Sequence, residues 1–276
     1  MKKQKWILLT FTILLALGSL VGCSSNAEET TVKVGISGSD TQVWDFIAKK
    51  AEKEGVKIEV VTFSDYVQPN LALADGSIDA NAFQTIAYLN QFKNERKLDI
   101  KPIGTTVIAP MGIYSKKYKN INDIPNGSTI TIPNDLTNGG RALLLLEKAG
   151  LIKMKADFNG KGLTESIESN PKNLKIVPVA APQTPRSMDD AAAAVINNGI
   201  AVSAGLSPVN DPIFREDETA KPYINVIAAQ TKRANEPALQ KLVELYQSED
   251  VHKYIEQIYK GGTIPVVTPV SEIENF

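Results

Sequence analysis

Arg141 follows the stretch Asn134-Asp135-Leu136-Thr137-Asn138-Gly139-Gly140 and opens a strongly apolar run, a placement suited to holding an anion. A polar, glycine-containing turn before a helix leaves backbone N–H groups unpaired and aimed outward. An arginine in a first helical turn also opposes the helix dipole unless an anion satisfies it. Arg141 is therefore a carboxylate clamp or, taken alone, an ordinary surface arginine. Tyr66, Phe83 and Tyr88 offer the complementary chemistry, because they fall in or near strand-to-helix joints, where ligands meet a parallel sheet. Each ring by itself is more often core than ligand wall. Three rings and one fixed cation together would make an apolar pocket for an amino acid with an apolar side chain.

Catalytic chemistry has less support. No Gly-x-Ser-x-Gly elbow, dinucleotide fingerprint or P-loop is present; Gly35-Ile36-Ser37-Gly38-Ser39-Asp40 comes nearest to an elbow and has the wrong spacing. His252, the single histidine, reads as a helix-face residue, and Asp189-Asp190 and Glu28-Glu29 as a helix N-terminus and a solvated tether. One cysteine cannot form an internal disulfide, and one Cys with one His is a poor ligand set for a transition metal. These residues point to a chain that is not an enzyme and uses no cofactor.

The elements that must position these residues come from hydrophobic periodicity. Within 276 residues, 43% hydrophobic and 22% charged, there is length for one large domain or two modest ones. Residues 32–36 alternate as a strand, Val43, Phe46, Ile47 and Ala51 recur at helical spacing, and Val56, Ile58 and Val60 alternate again. This β-α-β order predicts a parallel sheet with crossover helices. A β-prone run at 105–114 precedes a second series: a strand at 129–132, a helix at 141–149, a strand at 174–179 and an Ala-rich helix at 189–194. Another β-prone run at 223–229 leads to helices near 235 and at 249–260. Two α/β series separated by two extended runs suit two lobes with a cleft between them, although one continuous doubly wound sheet gives similar patterns.

The N-terminus has a secretion signal's layout. Lys2, Lys3 and Lys5 precede an apolar stretch at 6–21, which is shorter than the roughly 20 residues a spanning helix prefers. Leu20-Val21-Gly22-Cys23 then resembles a bacterial lipobox, in which Cys23, the only cysteine, takes a diacylglycerol and becomes the new N-terminus. Two acyl chains anchor a protein stably. The expected organisation is a signal peptide at 1–22, a lipidated tether at 23–31, one lobe from 32–111 with 229–276, and a second lobe from 112–228. Whole, the chain carries 30 basic and 31 acidic residues; removing residues 1–22 takes three lysines and no acid, leaving a formal −4. Nothing in that balance draws a nucleic acid.

Longer strings carry a resemblance. Ser64-Asp65-Tyr66-Val67-Gln68-Pro69-Asn70-Leu71, Phe83-Gln84-x-x-x-Tyr88-Leu89, Pro110-Met111-Gly112-x-Tyr114-Ser115, Gly140-Arg141-Ala142-Leu143 and Ala194-Val195-Ile196-Asn197 closely resemble the methionine-binding lipoproteins of ABC importers, the NlpA type. The resemblance runs from the lipobox to about Pro265. It implies an α/β, two-lobed type II periplasmic-binding-protein fold with two crossover hinge segments. It also implies a lipid anchor on the extracytoplasmic face of the cell membrane, and delivery of methionine or a relative to a permease driven by a separate ATPase. By analogy Tyr66, Phe83 and Tyr88 would wall the thioether, Arg141 would pair with the α-carboxylate, and Asn197 and Asn225 would hydrogen-bond the ligand's backbone end.

Two departures fall at the expected cleft. Relatives usually read Phe-Gln-His where this chain has Phe83-Gln84-Thr85, which makes Thr85 a ligand-facing position of altered chemistry. The first loop reads Ser37-Gly38-Ser39-Asp40-Thr41-Gln42 in place of a Pro- and His-containing stretch. A different amino acid or a short peptide therefore stays open as ligand, as does a surface adhesin or signalling lipoprotein without transport.

Overall fold

The computed structural model describes residues 30–217 and 221–276; the signal peptide, Cys23 and most of the tether lie outside them. In chain order the first part is β1 (Thr30–Ser37), α1 (Gln42–Glu52), β2 (Val56–Phe63), α2 (Gln68–Asp75), β3 (Ala80–Thr85), α3 (Ile86–Arg96) and β4 (Ile100–Ile108). The middle part is β5 (Gly112–Tyr114), β6 (Thr129–Pro133), α4 (Leu136–Lys148), β7 (Lys153–Met154), β8 (Ile167–Ser169), β9 (Lys175–Val179), α5 (Thr184–Ser187), β10 (Ala193–Ile196), α6 (Asn198–Ser203) and β11 (Pro212–Arg215). The chain closes with β12 (Ile224–Gln230), α7 (Pro237–Tyr246), α8 (Glu249–Tyr259) and β13 (Ile264–Pro265).

The strands form two main sheets, one for each lobe. The first has the order β13-β4-β12-β3-β1-β2 and the second β11-β5-β10-β6-β9. β1 runs parallel to β3, and β6 runs parallel to both β9 and β10, as β-α-β connections demand. The chain leaves the first sheet after Ile108 and enters the second at Gly112; it returns between Arg215 and Ile224. These two crossings join the lobes.

Period-two alternation explains why the central strands are buried on both faces. In β12, Ile224, Val226 and Ala228 enter one core cluster while Ile227 and Ala229 enter another. The second of these clusters packs Ile47 of α1, Leu239 and Leu242 of α7, and Ile255 of α8 against the sheet. Each fully buried Leu or Ile there stabilises the lobe by about 1.5–3 kcal/mol. α7 starts with Pro237 in its first turn, where a missing N–H costs nothing, and α8 ends at Lys260 in the left-handed region (φ 49°).

Four sequence expectations change. β12 hydrogen-bonds to β3 and β4, so residues 224–228 pair in the first sheet, whereas a lobe boundary at 228 assigns them to the second. β1 begins at Thr30, inside the stretch expected to be tether. The Ala-rich segment at 189–194 is not a helix: Ala193 and Val195 face one core and Ala194 and Ile196 another, which is the two-sided burial of a central strand. Its small side chains suit a crowded sheet interior as well as a helix, so composition misleads there.

The fourth change concerns α4, which starts at Leu136 and not at Arg141. Asp135 caps it, its Oδ1 accepting the Asn138 N–H at 2.8 Å. Gly139 and Gly140 lie within the helix because neighbouring chain passes against them. A Cβ on Gly139 would stand 2.8 Å from the Pro133 carbonyl oxygen. Close approach, not turn formation, explains the pair.

Candidate ligand-binding site

One cavity of about 180 Å³ is bordered by Tyr66, Phe83, Thr85, Tyr88, Arg141, Asn197 and Asn225, the full set of sequence candidates within the described residues. Cys23 lies outside those residues. β3 and the start of α3 supply Phe83, Thr85 and Tyr88; the loop after β2 supplies Tyr66. α4 brings Arg141, β12 brings Asn225, and Asn197 sits at the N-cap of α6.

The aromatic wall is a mutually packed trio. Tyr66 and Phe83 stack with ring centroids 5.7 Å apart, and Tyr88 meets both edge-on at 6.0 and 6.2 Å. Asp65 Oδ1 accepts from the N–H groups of Val67 and Gln68, which turns the chain at Tyr66. The Tyr88 hydroxyl then donates to the Tyr66 carbonyl at 3.0 Å. Burial pushes both phenols above their usual range, so they stay neutral donors.

Next to these rings, with Gln84 itself bordering the cavity, lies a feature the sequence reading did not single out. Asn70, Asn81 and Gln84 are buried and bond to one another: Asn70 Nδ2 donates to Gln84 Oε1 at 2.7 Å, and Gln84 Nε2 donates to Asn70 Oδ1 and Asn81 Oδ1 at 2.7 and 2.9 Å. Asn81 Nδ2 closes the set on Asn70 Oδ1 at 2.9 Å. This amide triad locks α2 against β3 and so fixes the strand that carries Phe83. Thr85 is also partly committed, since its Oγ1 accepts from the Tyr88 N–H and caps α3.

The polar side is led by Arg141, only 3% exposed. It lies in the second turn of α4, past the Asp135 cap, so helix-dipole strain does not select an anion for it. A carboxylate already faces it. Glu216 receives Nε at 3.0 and 3.2 Å and Nη2 at 2.5 Å, Nη2 also reaches the Ala109 carbonyl, and the guanidinium stacks 4.2 Å from the Tyr223 ring centroid. Glu216, which holds Arg141 without itself bordering the cavity, is a residue that sequence reasoning missed. It stands 75 positions from Arg141 in a polar stretch, and no local pattern marks it.

Beside Arg141 a chain of amides runs inward. Asn138 Nδ2 donates to Asp135, and Asn197 Nδ2 donates to Asn138 Oδ1 at 2.8 Å. Asn197 Oδ1 is buried and accepts from no donor among the described residues, which leaves it to a ligand N–H. Burial raises the Asp135 carboxyl above its ordinary range. Asn225 is less engaged, with one long contact from Nδ2 to the Tyr223 carbonyl at 3.5 Å.

The altered first loop reaches the same cavity through Ser37 and Asp40. Asp40 Oδ2 accepts from the Tyr259 hydroxyl at 2.6 Å, and Oδ1 from Gln42. His252 does not border the cavity; it sits half-buried on α8, where burial lowers its basicity. Among the described residues, no group of three or more His, Cys, Asp or Glu side chains could hold a metal ion, and no helix is long and apolar enough to cross a membrane.

Comparison with known proteins agrees with this architecture. A family model described as NlpA lipoprotein matches residues 32–267. The D-methionine-binding lipoprotein MetQ of Escherichia coli (strain K12) is 44% identical over 254 residues, covering 89% of this chain and 92% of that protein. The crystal structure of protein PG110 from Staphylococcus aureus superposes with a TM-score of 0.86 at 45% identity, covering 88% of this chain and 97% of that one. A nutrient-binding protein from Burkholderia cenocepacia, solved bound to methionine, superposes at 0.82 with 44% identity, covering 85% and 99%.

Proposed function

Because the chain belongs to the NlpA lipoprotein family, we propose that it is the lipid-anchored receptor of an ABC importer that takes methionine or a close relative into the interlobe cavity. The observation that carries this reading is the cavity's two-sided chemistry: a trio of aromatic rings faces a buried guanidinium and a buried amide oxygen with no donor among the described residues. A thioether over aromatic rings is favourable by about 0.3–1.5 kcal/mol. In this reading the carboxylate meets Arg141, the ammonium donates to Asn197 Oδ1, and Asp40 gives that end a negative wall. The MetQ relatives and the methionine-bound neighbour support the ligand class.

Cys23, as lipid-bearing N-terminus, would hold the receptor on the extracytoplasmic face, where a permease with its ATPase receives the ligand. Ligand contacts drawn from both lobes would favour the closed form, with bending at the two crossings. No step in this cycle breaks or forms a covalent bond of the ligand, so the protein acts without catalysis or cofactor.

Isothermal titration of the purified protein with L-methionine, D-methionine, other amino acids and methionine-containing dipeptides tests the reading. Saturable methionine binding below about millimolar is the expected result. Absence of binding across the panel would overturn it. Binding of another amino acid or a dipeptide alone would move the ligand and keep the receptor.

A further inference from the structure

The segments on which the lobes would bend are bonded to Arg141 itself. Nη2 donates to the Ala109 carbonyl on the outgoing crossing at 3.1 Å. Glu216, on the returning crossing, takes Nε and Nη2. Its Oε2 also accepts the Met111 N–H at 3.0 Å, and its own N–H donates to the Met111 carbonyl at 3.0 Å. Tyr223, immediately before β12, lies under the guanidinium. One ion pair, 3% and 12% exposed, thus fastens both crossings to each other and to the cavity wall.

We propose that Glu216 is the positioning residue of this site: it fixes the Arg141 fork, cancels its charge, and links it to both interlobe crossings. The inference rests on the cavity being an amino-acid site. A guanidinium held through Nε and Nη2 is pre-organised, so a ligand carboxylate that meets Arg141 at the cavity would find little ordering left to lose. Charge balance sets selectivity as well. A lone buried Arg⁺ favours any anion, whereas the Arg141–Glu216 pair is neutral overall and suits a zwitterion, whose ammonium finds its own partner.

The test compares wild type, Glu216→Ala and Glu216→Gln in the full-length protein in detergent. Each is titrated with L-methionine and with its deaminated analogue, the methylthio-butanoate, and amide hydrogen exchange is followed at Met111. Glu216→Ala should weaken methionine binding by about tenfold or more and speed exchange at Met111. Glu216→Gln retains an acceptor but leaves Arg141 uncompensated, so the analogue should gain on methionine by at least about threefold, a ratio that a purely structural role does not move. Methionine affinity within about twofold of wild type in Glu216→Ala, with Met111 still protected, overturns the proposal. If Glu216→Ala fails to fold, the ligand ratio in Glu216→Gln decides, and an unchanged ratio overturns it. If wild type binds no methionine, the amino-acid reading fails separately, and Met111 exchange alone decides whether Glu216 ties the crossings.

Discussion

Gly140 and Gly160 meet so closely that a Cβ on Gly140 would stand 2.2 Å from the Gly160 carbonyl oxygen. Backbone, not a movable side chain, fills that space, so α4 carries Arg141 at a depth only glycine permits. Gly140→Ala should destabilise the protein by about 1–3 kcal/mol and displace the guanidinium. Thermal unfolding and methionine titration of this variant check both effects; wild-type values for each would disprove the close-contact account.

Gln84 has a comparable role beside the aromatic rings. Gln84→Leu keeps the volume and leaves the Asn70 amide without its partner at 2.7 Å. Leaving buried amide groups unsatisfied costs about 1–3 kcal/mol each. The expected outcome is a clear fall in denaturant midpoint, larger than for Gln91→Leu at a partly exposed position.

Asp40 separates charge from shape. Asp40→Asn retains an acceptor for the Tyr259 hydroxyl while removing the negative charge from the cavity wall. Methionine should bind roughly fivefold more weakly, corresponding to about 1 kcal/mol, and the deaminated analogue should not weaken. Equal losses for both ligands would argue against an electrostatic role.

Acid stability has a traceable component where α1 meets α8. Lys50 Nζ donates to Asp250 Oδ1 at 2.6 Å, and that bond, helped by Ser248, lowers the Asp250 pKa from 3.8 to about 2. A carboxylate depressed in the fold contributes fully above its unfolded pKa and loses that contribution as pH falls through the folded value. Asp250→Asn should therefore lower stability near neutrality and flatten its decline between about pH 4 and pH 2. Urea midpoints across that range report the difference.

Much of this molecule is legible in its chain because local signals agree with tertiary burial. The alternation in β1, the Pro237 start of α7 and the aromatic placements at 66, 83 and 88 all lead to elements and rings found in the structure. What escapes is set by distant neighbours. Gly139 and Gly140 read as a turn until residues 160–163 are seen packed on them. Residues 189–194 read as helix until two cores are seen to enclose Ala193–Ile196 as a strand. Glu216 is one acid among several until the fold returns it to Arg141. Arg141→Ala would strand this largely buried carboxylate, at about 3–5 kcal/mol, as well as remove a ligand partner.

The position of β12 has a consequence for assembly. Residues 224–230 are made after the whole second lobe, yet they occupy the gap between β3 and β4 in the first sheet. Until they arrive, two strands synthesised more than a hundred residues earlier have no partner along their facing edges, and open edges invite pairing with other chains. The lobe that begins first must therefore finish last. A nascent chain stopped short of Ile224 has its second sheet complete and its first sheet divided, so a premature stop there would yield an aggregation-prone fragment and no half-receptor.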